Sequence, residues 1–99
     1  SKAVARLDQL ATHRAVRAER AVLRRLGGGC QVPIAAHAVS ENAQMRLQGL
    51  VANLSGMHII RAQTKGPASD PEALGAAVAE DLLRQGAREI LDALGETNH

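Results

Sequence analysis

The chain has no phenylalanine, tyrosine or tryptophan. Aromatic rings bring the largest single buried areas, so a deep core organised around them is excluded. The interior has to be assembled from Ala, Val, Leu, Ile and Met, which favours thin helix-on-sheet packing. Cysteine occurs once, at position 30. A single thiol excludes an internal disulfide and with it a secreted disulfide scaffold; it suits a reducing cytoplasm. No apolar run approaches the roughly 20 residues of a membrane-spanning helix. The opening stretch "SKAVARLDQLATH" lacks the apolar centre of a signal peptide. Neither sign of charge dominates: 12 basic and 10 acidic residues leave a formal net charge of +2. That balance is too mild to diagnose nucleic-acid binding without a clustered patch.

What is present suits one small domain of 99 residues. Its first residue is not Met and falls partway into a helical pattern, as in a segment of a longer chain. Residues 2 to 10 read as a short helix, with Val4, Leu7 and Leu10 on one side. Thr12 reads as the N-cap of a second helix over 13 to 26. There Ala15, Ala18, Val22 and Leu26 recur at spacings of three and four and form a stripe that should face a sheet. Glu19 lies between that stripe and Leu23, so it must reach solvent or find a partner. Gly27 to Gly29 stop the helix. Three strands follow. "CQVPIAAHA" alternates Val32, Ile34, Ala36 and Ala38, with Pro33 pointing to an edge or an irregular start. "SEN", 40 to 42, reads as a turn. "AQMRLQGLV" puts Met45, Leu47, Gly49 and Val51 on one face and Gln44, Arg46 and Gln48 on the other. "MHIIRAQT", 57 to 64, is the third strand, with its inward register open because Ile59 and Ile60 point opposite ways. A loop from Lys65 leads to a helix with Asp70 as N-cap and Pro71 in its first turn. Leu74, Val78 and Leu82 are its buried stripe, with Ala77 and Leu83 beside it. Gly86 interrupts, and a last helix carries Ile90, Leu91 and Leu94. The expected fold is α+β: a three-stranded antiparallel sheet with helices on one face, in the order α-β-β-β-α-α.

Most chemical signatures are weak. His13, His37, His58 and His99 are scattered. His37 and His58 could approach across strands, but no third ligand recurs at a useful spacing, so no metal site is expected. Cys30 has no legible His–Asp partner for nucleophilic catalysis. "GGG" follows a helix and precedes a strand, the reverse of a phosphate-cradling loop. His13, Arg17, Arg20 and Arg24, flanked by Arg14 and Arg25, make a basic stripe on one helix face. With this element order the stripe suggests a double-stranded RNA-binding module as an alternative. That module also needs cations at the start of its last helix, where this chain has "SDPEALG". A solvated or interdomain face is the favoured reading of the stripe, since charge runs on amphipathic helices usually have that role. Two readings of Cys30 stand. A lone cysteine is commonly a small buried hydrophobe. After three glycines, though, its sulfur has room to receive a large group, and Arg24 and Arg25 would offset the negative end of the helix dipole.

The segments "AVRAERAVLRRLGGGCQVPIAAHA", "IIRAQTKGP" and "DPEALGAAVAEDLLRQGAREIL" resemble the C-terminal domain of the porphobilinogen deaminase (hydroxymethylbilane synthase) family. The likeness runs from about Thr12 to Leu94, and "ERAVLRRLGGGCQVPIAA" is its most specific part. One departure is Gly27, where the family commonly has an acidic residue. The resemblance implies a third domain over 12–99, preceded by a linker or short helix over 1–11. It implies a dipyrromethane cofactor joined to Cys30 by a thioether, with Gly28 and Gly29 leaving access. On that cofactor four porphobilinogen units would be polymerised, with loss of ammonia, to hydroxymethylbilane for haem and other tetrapyrroles. The catalytic aspartate and the substrate-binding arginines belong to the family's first two domains, so no catalytic residue is expected here and the isolated domain should not turn over. The implied partners are porphobilinogen, the growing pyrrole chain and the first two domains of the same enzyme. No nucleic acid and no membrane is implied, and the enzyme is expected to be a cytoplasmic monomer.

Overall fold

A computed structural model describes residues 2–27, 34–53 and 58–91. Helix α1 (Lys2–Arg25) leads into strands β1 (Ile34–Glu41), β2 (Gln44–Ala52) and β3 (Ile59–Pro67), then helix α2 (Pro71–Arg84). A last helical turn covers 87–91. The strands form one antiparallel sheet in the order β1-β2-β3, with both helices packed against it. This is the α+β order expected from the sequence.

Period-two patterning fixes the sheet. On β2, Met45, Leu47, Gly49 and Val51 are buried, and Gln44, Arg46 and Gln48 are exposed. Ile34, Ala36 and Ala38 of β1 pack against the same core. On β3, Ile60 and Ala62 point inward and Ile59 outward, which settles the open register. Every buried side chain among the described residues is apolar. Among the described residues no helix lies over the opposite face of the sheet.

Four local expectations are corrected. The break at Thr12 is absent: α1 is continuous, and Thr12 is an exposed residue within it. Residues 2–25 contain neither Gly nor Pro, and one Thr costs a helix only a few tenths of a kcal/mol, about 0.7 at most. The first turn is Asn42 and Ala43, so it begins two residues later than "SEN". Ser40 and Glu41 pair with Met45 and Gln44, and Asn42 takes the left-handed conformation at φ 58° that asparagine tolerates. Lys65 to Pro67 extend β3 instead of starting a loop. Pro67 is acceptable there because β3 is an edge strand. Finally, Ala77 is exposed, and Gly75 and Ala79 are buried in its place.

The last correction follows from how α2 packs. It lies beside α1 as well as on the sheet. Arg17 meets Glu72 and Arg25 meets Glu80. Equal eight-residue steps on both helices mean that they run parallel. A Cβ on Gly75 would stand 2.4 Å from Ala21 Cβ and 2.7 Å from the Ala18 carbonyl oxygen, so this close approach requires glycine. Asp70 occupies the N-cap position, but its side chain makes no capping bond; Pro71 follows it into the first turn and is buried. Gly86, at φ 109°, ends α2, and Ala87, Ile90 and Leu91 return to the core. Leu94 lies outside the described residues.

Candidate functional site

Cys30, Gly28 and Gly29 lie in the 28–33 loop, outside the described residues. Both roots of that loop are described. At the first, Leu26 is buried and its N–H donates to the Val22 carbonyl, 3.1 Å away. The Gly27 N–H then donates to the Arg24 carbonyl at 3.2 Å. Gly27 has φ +99° and is exposed, with no heavy atom within 4 Å of where a Cβ would be. Gly27 therefore ends α1 in a backbone conformation that L side chains rarely adopt. The acidic residue common in the family would find room here but not a relaxed backbone. At the second root, Ile34 pairs with Val51 and packs on the core.

Glu19 joins the two elements that carry these roots. Its carboxylate accepts the Ala38 N–H at 3.0 Å in a half-buried setting. The sequence requires Glu19 to reach solvent or find a partner, and the structure gives it a partner. The sequence could not show which, because a backbone donor leaves no residue-type signal.

The basic stripe is partly committed within the fold. Arg17 donates to Glu72 Oε1 at 2.7 Å and Arg25 to Glu80 Oε1 at 3.2 Å. The hydrogen bond from Arg17 holds the Glu72 carboxyl below its ordinary value, partly opposed by desolvation. Arg24 is exposed and has no ion pair among the described residues. His37 and His58 do not meet. His37 aligns with Gln48 and Gln63, five residues along β3 from His58, which is about 16 Å at strand rise. His13 is exposed and His99 lies outside the described residues. Among the described residues no three His, Cys, Asp or Glu side chains converge as metal ligands. No helix among them is long and apolar enough to cross a membrane. A depression of about 550 Å³ crosses the sheet, lined in part by His37, Gln48, Arg61 and Gln63. The sequence does not reveal it, because its lining combines all three strands with Asp81 of α2.

An α+β domain with a glycine-rich cysteine loop between its first helix and an edge strand is the class that this geometry defines. The family model for the C-terminal domain of porphobilinogen deaminase matches residues 13–84. The porphobilinogen deaminase of Carboxydothermus hydrogenoformans is 45% identical over 86 residues, which is 87% of this chain and 28% of that protein. Its Thiobacillus denitrificans counterpart is 50% identical over 91 residues, 92% of this chain and 30% of that protein. The Synechococcus elongatus protein is 52% identical over 80 residues, 81% of this chain and 25% of that protein. The chain belongs to the porphobilinogen deaminase family and matches its C-terminal domain. It spans between a quarter and three tenths of the length of these relatives.

Proposed function

We propose that this chain is the cofactor-carrying third domain, residues 12–99, of a hydroxymethylbilane synthase, with residues 1–11 leading in from the rest of the enzyme. The observation that carries this reading is the family match over 13–84, a span that includes Cys30. Cys30 would hold dipyrromethane through a thioether, and Gly28 and Gly29 would leave access to the sulfur. The described surroundings are compatible with a bulky tethered group. Gly27 at the loop root has nothing within 4 Å of its Cβ position, and the exposed Arg24 supplies positive charge beside the negative end of α1. A dipyrromethane held there would supply the pyrrole terminus for the addition of four porphobilinogen units, with loss of ammonia, to give hydroxymethylbilane. The enzyme is a transferase of tetrapyrrole (haem) biosynthesis, working as a monomer in the cytoplasm, where a free thiol stays reduced. Its other domains supply the catalytic groups.

The RNA-binding alternative gains no support. Arg17 and Arg25 are engaged by Glu72 and Glu80, and Glu72 stands in the first turn of α2. A duplex-RNA reader would need cations at that helix start.

Mass spectrometry of the full-length enzyme purified from cells tests the proposal. The Cys30 peptide should carry the added mass of a dipyrromethane, and Cys30→Ser should abolish both the adduct and turnover. An unmodified Cys30 in active enzyme sinks the reading.

A further inference from the structure

We infer that Gln85, together with the like charges of Arg61 and Lys65, closes the β3 edge against antiparallel pairing with a second copy of this chain. The device is independent of the role proposed for Cys30. An antiparallel strand turns the N–H and C=O of alternate residues toward its neighbour and those of the others away. Gln85 Nε2 donates to the Arg61 carbonyl oxygen at 2.7 Å. Arg61 therefore faces away from β2, and by alternation so do Gln63 and Lys65. Among the described residues no hydrogen bond reaches the outward main-chain groups of Gln63 or Lys65. A row of this kind is a template for another strand. The β1 edge differs: α1 packs along it, and Glu19 accepts the outward N–H of Ala38. Gln85 is the C-cap residue of α2, and its own N–H returns to the helix carbonyls. Its side-chain amide is left to cross to β3, where it takes the place of an incoming strand's N–H. Gln63 is the midpoint of Ile59–Pro67. Full overlap of β3 with its two-fold copy therefore sets Arg61 opposite the second copy's Lys65, twice by symmetry. Like charges directly opposite destabilise a strand pair, and Pro67 has no N–H to give at the end of the row.

Sedimentation velocity over a concentration series tests the closure on the 99-residue chain, each variant first shown to unfold cooperatively in urea. Wild type should stay monomeric. Gln85→Ala removes the cover and keeps the charge repulsion; Lys65→Glu turns the repulsion into attraction and keeps the cover. The double variant lacks both guards. It should associate toward a dimer, at a concentration at least about tenfold lower than either single variant requires. Adding Gln63→Pro should return it to monomer. That N–H points away from β2, so proline there removes a donor to the second copy and none within the chain. Where Gln85→Ala does not fold, Gln85→Glu replaces it, since a carboxylate of the same length has no N–H to donate. A double variant that stays monomeric at every concentration overturns the closure. So does a single variant that associates as strongly as the double, because one of the two guards would then be idle. Association that survives Gln63→Pro overturns it as well, by placing the contact away from the β3 edge.

Discussion

Ser40 turns its side chain toward the core from β1, and its Oγ is buried without a hydrogen-bond partner. A buried hydroxyl left unpaired costs more than a methyl-sized apolar replacement. Ser40→Ala should therefore raise stability by about 1 kcal/mol, seen as a higher urea midpoint with an unchanged slope. A lower midpoint would mean that the hydroxyl has a partner. Gly27 shows the other side of single-residue reasoning. That a glycine stops α1 was readable, since only glycine takes φ +99° without strain. That Asn42, not Ser40, would bend the first hairpin was less so, because Ser, Glu and Asn all occur in turns and only the left-handed φ of 58° separates them. Glu19 was legible as a charged residue in a poor place and illegible as to its answer, the amide of Ala38.

Between elements, the contact of α1 with α2 is set by small residues and framed by two ion pairs. Helix propensity favours alanine over glycine at position 75 by about 1 kcal/mol. A Cβ there would meet Ala21 at 2.4 Å and the Ala18 carbonyl oxygen at 2.7 Å, and overpacking of this kind costs about 1–3 kcal/mol. Gly75→Ala should thus lose stability by roughly 1 kcal/mol overall despite the better helix former, as read from urea unfolding. The Arg17–Glu72 pair makes a pH prediction. The Glu72 carboxyl is lowered from 4.5, chiefly by its hydrogen bond to Arg17. A lowered carboxyl contributes stability above its unfolded value and loses it as pH falls through the folded one. Wild type should be slightly more stable than Glu72→Gln at pH 7, and the gap should close in acid below 4.5. Both groups are exposed, so added salt should shrink the gap as well. The elements themselves were legible because β2 alternates cleanly and α2 carries Leu74, Val78 and Leu82 at helical spacing. The burial of Gly75 and Ala79 over Ala77 was not, because a hydrophobicity pattern says which residues seek cover and not that a second helix will provide it. The continuity of α1 through Thr12 was missed for a related reason: a residue that caps well is also tolerated inside a long alanine- and arginine-rich helix.

At the scale of the whole molecule, the sheet, its order and its one-sided core followed from the absence of aromatics and the period-two strands. The proposed site rests on a motif whose residues 28–33 lie outside the described ones. The same distribution limits what this chain can do alone. General acid–base chemistry needs a titratable group held in place beside the reacting atoms, and preorganised electrostatic stabilisation needs polar groups kept from water. Among the described residues every fully buried side chain is apolar, and no three potential metal ligands converge. The chain also accounts for no more than about three tenths of its relatives' length. Incubated with porphobilinogen, the 99-residue chain should therefore release no ammonia above the uncatalysed rate, whereas the full-length enzyme should release one per unit added. Supplying the missing domains as a separate polypeptide should restore release only when Cys30 carries its adduct. Ammonia production by the 99-residue chain on its own would move the catalytic groups into this domain and end its description as an anchor.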